Sequence, residues 1–314
     1  MSLLIERSGA LASLQDGGRF GVRHLGVTQG GSADWCSHHW ANWLLGNPLA
    51  APVIEIVLGN FELLAERDGC LALTGADLGA SLDGQPLAPG RSFRIGKGQR
   101  LRFAQPRQGV RAYLAAPGGF RAEAVLGSCA TVRREALGGL HGDGRPLTAG
   151  DCLQWQGPAP APRALAAAQI ARFDGDALLP VILGAQVGDF SGQSLFDAFN
   201  LEWRVDPRAD RMGIRLSGPL LQCARQSMVS EGVPLGAIQV PSDGQPIVLL
   251  NDRQTIGGYP RLGALTPLAV ARLAQCLPGS RVRLRPIALD QAQRQQRRLL
   301  AEWQRSPQAA EATP

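Results

Sequence analysis

Glycine or proline interrupts this chain about once every five residues, with 39 glycines and 22 prolines among 314 positions. Neither suits a helix interior, glycine for its conformational entropy and proline for its missing N–H donor. Hydrophobic residues make up 45% but aromatics only 5%, so the core is expected to be built from many short strands joined by tight turns. That excludes a helical bundle. Charged residues at 18% are ordinary for a globular chain and exclude wholesale disorder. The length predicts two domains at roughly 150 residues each.

Helices are few and well punctuated. Ser32 is placed to cap a helix over 33–45, with Cys36, Trp40, Trp43 and Leu44 on one face and Gly46-Asn47-Pro48 as its stop. Thr266-Pro267 opens a second helix to about Leu277. Most of the remainder alternates like strands, and Asp83-Gly84 and Asp243-Gly244 both read as two-residue hairpin connections. Each half carries a Gly-x-Arg-apolar-Arg-apolar strand, at 98–103 and 279–284, and residues 156–169 read as a linker. These echoes point to two similar β-barrel-like domains with chain order rotated between copies. The expected boundaries are 1–160 and 170–290, followed by a basic helical or disordered tail over 291–314 with disorder after Pro307.

Charge argues against nucleic acid. The chain carries a net +6, of which +4 falls in residues 281–314, leaving no basic stripe across the body. Three apolar residues at the N-terminus meet Glu6, which makes no signal peptide, and no stretch approaches the ~18 apolar residues of a membrane span. Six scattered cysteines without a C-x-x-C pair fit free thiols in a reducing compartment, so a cytoplasmic location is expected. The one lysine, Lys97, stands in a Gly-Lys-Gly turn, which disfavours a P-loop and a Schiff-base lysine. His24, His38, His39 and His141 show no metal-ligand spacing, and no Gly-x-Ser-x-Gly elbow frames a nucleophile. Ser191 and Ser194 read as members of a polar loop.

Four short clusters combine glycine, arginine and carboxylate. They are Gln15-Asp16-Gly17-Gly18-Arg19, the run from Asp210-Arg211 to Arg215, Ser230-Glu231-Gly232, and the run from Asn251 to Tyr259. Glycine lets a backbone approach a ligand closely, and arginine forks match carboxylate or phosphate. The competing reading is that such neighbours form local ion pairs that only hold their loops.

At these clusters the sequence resembles the family of 5-oxoprolinase C subunits, also called KipA-like, allophanate hydrolase subunit 2-like or biotin-dependent carboxyltransferase-like. The resemblance rests on Leu14-Gln15-Asp16-Gly17-Gly18-Arg19-Phe20-Gly21, His24-Leu25-Gly26-Val27 and the run from Ala41 to Pro48. It continues through the run from Leu73 to Ala80, Gly118-Gly119-Phe120, Asp210-Arg211-Met212-Gly213, Ser230-Glu231-Gly232, the run from Gly236 to Pro241, and Asp252-Arg253-Gln254-Thr255 with Gly257-Gly258-Tyr259-Pro260. The sequence departs from the family in having Arg261 where many members carry lysine.

The resemblance implies a mainly β fold of two cyclophilin-like β-barrels in tandem with a few short helices. It also implies two partner proteins, one KipI-like and one LamB/YcsF-like, which together with this chain would open 5-oxo-L-proline to glutamate using ATP with Mg2+. No nucleic acid or membrane partner is expected. Arg211, Arg215 and Arg253 are then expected to hold phosphate or substrate carboxylate, with Asp210 and Asp252 orienting them or a magnesium ion. Glu231 is the expected general base, with catalytic roles also for Asp252 and Arg253. Gln239, Gln254, Thr255 and Tyr259 are expected to touch the lactam, and Gln15, Asp16 and Arg19 to add anion contacts. Two other roles use the same clusters: a carboxyltransferase component of a biotin-dependent urea or amide carboxylase, and a KipA-like protein that antagonises a KipI-like kinase inhibitor.

Overall fold

A computed structural model describes residues 1–9, 11–225 and 227–304, so the disorder expected after Pro307 lies outside the described residues. The chain divides into two compact units, and the division is not a single cut. Met1–Phe20 and Gly30–Phe173 form the first, whereas Gly21–Gln29 joins Asp174–Gln304 in the second. The boundaries read from sequence differ from this division in treating 21–29 as part of the first half.

The first unit wraps two sheets around one core. Its strands are β1 (Ser2–Arg7), β2 (Ser13–Gln15), β3 (Val53–Val57), β4 (Phe61–Ala65), β5 (Gly69–Asp77) and β6 (Ala80–Leu82). After these come β7 (Gln85–Pro86), β8 (Arg91–Ile95), β9 (Arg100–Phe103), β10 (Gln108–Ala115) and β11 (Cys152–Gln154). One sheet runs β11-β1-β4-β9-β6-β7 and the other β2-β3-β10-β5-β8. Period-two alternation fixes the inner face: Leu3 and Ile5, Leu101 and Phe103, Phe93 and Ile95 all enter a single cluster. Asp83 and Gly84, at φ 47° and 81°, make the two-residue turn between β6 and β7 as read from sequence. The 156–169 segment is only partly a free linker, because Ser92 and Leu165 donate backbone bonds that lay 163–165 beside β8.

Helix α1 (Trp35–Leu45) packs across β5 and β10, which explains why these two strands are buried on both faces. Its cap is Asp34, not Ser32: the Asp34 carboxylate accepts from the Ser37 N–H at 3.0 Å. Its buried face also differs from the expected one, with His38, Ala41, Asn42 and Leu45 buried while Cys36 and Trp43 are only half-buried. His38 donates Nε2–H to the Ala51 carbonyl at 2.8 Å and stacks 6.5 Å from the Tyr113 ring.

Burial pulls the His38 pKa from 6.5 down to about 4, against the opposing pull of the Ala51 bond and the Asp16 and Glu55 charges. The unfolded chain therefore takes up a proton between pH 6.5 and 4 that the folded chain refuses. Stability is full above about pH 6.5 and falls as the pH drops through that window. At roughly 1.4 kcal/mol per unit, His38 alone is expected to remove about 3 kcal/mol by pH 4. Urea unfolding at pH 7 and 4.5 checks this, since His38→Gln, which cannot titrate, should lose distinctly less stability on acidification.

The second unit closes as a seven-strand barrel. Its strands are β12 (Ala177–Leu183), β13 (Trp203–Val205), β14 (Gly213–Ser217), β15 (Glu231–Gly232) and β16 (Ala237–Gln239). Then follow β17 (Ile247–Leu249), β18 (Ile256–Gly257), β19 (Arg261–Leu265) and β20 (Arg281–Pro286). The barrel order is β12-β19-β16-β17-β14-β13-β20, with β15 and β18 paired separately. Val282 and Leu284 point into the core while Arg281 and Arg283 face out, the same pattern that β9 shows with Leu101 and Phe103.

Three sequence expectations shift here. The polar run before Leu195 is the start of α2 (Gly192–Asn200), with Ser191 as its cap and Ser194 on its buried face. Asp243-Gly244 stands inside a seven-residue connection between β16 and β17, because Gln239 pairs with Ile247. Helix α3 (Pro267–Leu273) begins at Thr266-Pro267 as expected but stops four residues sooner. In α4 (Leu289–Trp303), Ala292 and Trp303 are buried and Leu299 is half-buried on the same face, so this basic segment is docked helix within the second unit.

Candidate functional site

The densest concentration of expected site residues is the loop Asn251–Thr255 after β17 with the facing segment Glu231–Val233. Arg253 is 3% exposed, and its guanidinium donates Nε–H to the Val233 carbonyl at 3.1 Å and Nη1–H to the Leu250 carbonyl at 3.2 Å. Its Nη2 reaches the Gln29 amide oxygen only at 3.5 Å. Arg23, from a 3-10 turn over Arg23–Leu25, sends Nη2 to the same Val233 carbonyl at 2.8 Å and to the carbonyls of Thr255 and Gln254 at 3.0 and 3.4 Å.

Two guanidiniums thus meet on one oxygen, and their nitrogens stand within about 6 Å of one another, the two bonds laid end to end. Like charges at that spacing repel by roughly 3 kcal/mol at an effective dielectric near 20. Burial, and then the Arg23 charge, pull the Arg253 pKa down to about 9, and burial lowers that of Arg23 as well. A guanidinium gives up its proton with great reluctance, so the strain remains as unrelieved positive charge. Sequence reasoning missed Arg23. The available signal was an arginine between Gly21 and Gly26, but its significance depends on carbonyls more than 200 residues away.

The neighbouring polar residues divide by their bonds. Asp252 and Arg211 form a two-pronged pair, Nε to Oδ2 at 2.9 Å and Nη2 to Oδ1 at 3.0 Å. Asp210 instead accepts the N–H groups of Met212 and Gly213 and braces its own turn, so its expected role of orienting arginines is not seen. Arg215 pairs with Asp243 rather than joining Arg253. Glu231, the expected base, bonds Arg261 through one oxygen and Gln186 at 3.4 Å through the other. Gln239 is 2% exposed, and its amide nitrogen packs against Gly257, where a Cβ would come within 2.5 Å. Gln254 and Thr255 offer their backbone carbonyls to Arg23, and the Tyr259 ring is exposed, as is Ile256. A cavity of about 290 Å³ lined by Cys223, Arg225, Val240 and Asp243 contains none of the expected site residues.

The first-unit cluster is interior. Gln15 and Arg19 are both 0% exposed. Gln15 donates to Ser13 and to the Thr131 carbonyl, and Arg19 to the carbonyls of Val125 and Ser128 at 3.0 and 3.1 Å. Asp16 accepts from Gly18 N–H, the Ser128 hydroxyl, the Cys129 N–H and, at 3.4 Å, the Cys129 thiol. Burial and the Asp16 charge push that thiol up. These three residues tie 125–131 to 15–19, which corrects the expectation that they face an anion.

Magnesium does not fit the carboxylates once expected to hold it. Asp252 is committed to Arg211 and Asp210 to backbone N–H groups, and no group of three or more His, Cys, Asp or Glu able to hold a metal occurs among the described residues. No helix among the described residues is long and apolar enough to cross a membrane.

A model of the carboxyltransferase domain, subdomain A and B, matches residues 25–286. The 5-oxoprolinase C subunit of Escherichia coli K12 is 36% identical over 299 residues, covering 92% of this chain and 93% of that protein. The protein of the same name from Haemophilus influenzae is 33% identical, covering 91% and 92%. Among solved structures, TTHA0988 matches at a TM-score of 0.81 and 35% identity, over 90% of this chain and 55% of that one. The Kluyveromyces lactis urea amidolyase matches at 0.91 over 99% of this chain, at 24% identity, which speaks to fold alone. The present chain spans only 20% of that enzyme.

Proposed function

Because this chain belongs to the family of 5-oxoprolinase C subunits, within the carboxyltransferase-domain proteins, we propose that it is the C subunit of an ATP-dependent 5-oxoprolinase. In this reading it works with a LamB/YcsF-like protein and a KipI-like protein to open 5-oxo-L-proline to L-glutamate. The supporting observation is reciprocal coverage: this chain and the two bacterial C subunits span more than nine-tenths of each other. A lactam is a poor electrophile. ATP phosphorylates its carbonyl oxygen and leaves as ADP. Water adds to the activated carbon, and the ring C–N bond breaks with the nitrogen taking a proton and leaving as the amine. A second water displaces phosphate from the resulting acyl phosphate to give glutamate.

This chain's part is to bind and orient. The buried guanidinium of Arg253 holds the anionic end of the substrate, while the Arg211–Asp252 pair fixes the loop that presents it. The misfit of Asp210 and Asp252 to magnesium assigns no metal-dependent step to this chain. Mixing the three purified subunits with 5-oxoproline and ATP tests the proposal. Glutamate is expected from the mixture and not from this chain alone, and strong activity from the single chain would refute the multi-subunit reading.

The carboxyltransferase reading draws on the fold match across 99% of the chain to urea amidolyase. It requires a biotinylated carrier. A streptavidin-reactive protein that co-purifies with this chain, together with urea-dependent but not 5-oxoproline-dependent ATP consumption, would favour it.

A further inference from the structure

Buried cations in proteins are normally paired, and a donor left without a partner in the interior costs free energy. The Arg23–Arg253 site departs from both rules. Every hydrogen bond that these guanidiniums make among the described residues goes to a carbonyl or amide oxygen, and none to a carboxylate. The Arg23 Nη1 group is buried with no hydrogen-bond partner. The weakest contact at the other cation is the 3.5 Å approach of Arg253 Nη2 to Gln29. Beside the same segment, the buried Gln239 Nε2 also lacks a partner.

We propose that Arg23 and Arg253 together form a binding site for the carboxylate of a small molecule, with Arg23 as a ligand-contacting residue. Arg23 Nη1 donates to one carboxylate oxygen, and Arg253 Nη2 donates to the other after exchanging it for the Gln29 amide. Two available donor groups on two guanidiniums match a planar, two-oxygen monoanion. A phosphate dianion fits less well, because the carbonyl oxygens of Val233, Leu250, Gln254 and Thr255 already surround the pair and would repel a second negative charge. The site rests on the 5-oxoprolinase reading for the identity of its ligand, the carboxylate of 5-oxoproline. Its existence follows from the unpaired cations.

The test uses the full chain and needs no turnover. Acetate, which has the carboxylate and none of the lactam, is expected to raise the melting temperature of the wild-type chain more than equimolar chloride, and inorganic phosphate to do no better than chloride. Arg23→Gln should abolish the acetate effect, whereas Arg208→Gln, at an exposed arginine that pairs with Asp206, should keep it. By calorimetry, 5-oxoproline is expected to bind at least about tenfold more tightly than 2-pyrrolidinone, and Arg23→Gln to remove that difference. In the assembled enzyme the same variant should raise KM far more than it lowers kcat. The proposal is overturned by an unchanged acetate response in Arg23→Gln, by no response in the wild type, or by preference for phosphate. An enzyme that hydrolyses 5-oxoproline without any acetate response sinks the site and spares the function. An acetate response lost in Arg23→Gln, with no 5-oxoproline turnover, does the reverse.

Discussion

Arg253→Ala in the assembled three-subunit enzyme is expected to lower kcat/KM for 5-oxoproline by about 10²-fold or more, the usual consequence of deleting one preorganised charged contact in a water-poor site. The expectation follows from where the side chain lies. Arg253 is almost wholly buried, and backbone carbonyls at Val233 and Leu250 hold its fork in a fixed orientation. A preorganised cation of this kind needs no reordering when substrate arrives. Arg253→Lys should recover little, because an ammonium cannot span both carbonyls and still point a donor outward. Folding is expected to survive either change: the Val233 carbonyl keeps its bond to Arg23, and removing the buried Arg253 cation beside the half-buried Arg23 relieves their repulsion. Steady-state glutamate formation measures the effect, with circular dichroism as the folding control. Turnover within about threefold of wild type in a folded Arg253→Ala enzyme, against the expected loss, would remove Arg253 from the catalytic account.

What the sequence made legible was chemistry of short range. Asp83-Gly84 forms its turn because both residues tolerate the left-handed backbone that the turn demands, and the strands beside it need nothing more distant. Asp243-Gly244 has the same letters, yet the pairing of Gln239 with Ile247 is fixed by neighbouring barrel strands, so the turn is drawn into a longer connection. The helix cap failed in the same way. Ser32 and Asp34 are equally good capping types. The structure starts the helix after Asp34 because the Ala33 and Asp34 N–H groups are taken by Glu55 and the Tyr113 hydroxyl, partners 22 and 79 residues away. Local preference cannot see them.

The candidate site shows this limit most sharply. The loops at 15–19 and 251–255 look alike as sequence, each with carboxylate and arginine in a short polar run. One is an interior brace whose arginine donates to two carbonyls of its own unit; the other gathers a second cation onto a shared carbonyl. Motif position marked both as candidates. Only burial and partner identity separate them.

Glu55→Ala is expected to cost the first unit about 3–5 kcal/mol, the usual penalty for removing one member of a buried charged network. Glu55 is wholly buried on β3. Its Oε2 accepts the Ala33 N–H and the Tyr113 hydroxyl, both at 2.8 Å, and its Oε1 lies 3.7 Å from Arg111 Nε. The same hydroxyl accepts the Asp34 N–H at 2.7 Å, so one carboxylate and one phenol together fix the residues that lead into α1. Burial first, and then the Glu55 charge, hold Tyr113 well above its ordinary pKa, which favours the protonated phenol that donates to Glu55. Tyr113→Phe strands the Asp34 N–H and takes from Glu55 Oε2 one of its two donors, at roughly 1–3 kcal/mol. Because the two residues share a single chain of bonds, the double variant should fall short of the sum by about 0.5–3 kcal/mol. Denaturant unfolding of the two single variants and the double reads this coupling directly. Strict additivity would mean that Glu55 and Tyr113 act independently rather than as one chain of bonds, and single variants without measurable cost would mean that α1 is anchored by its packing on β5 and β10 alone.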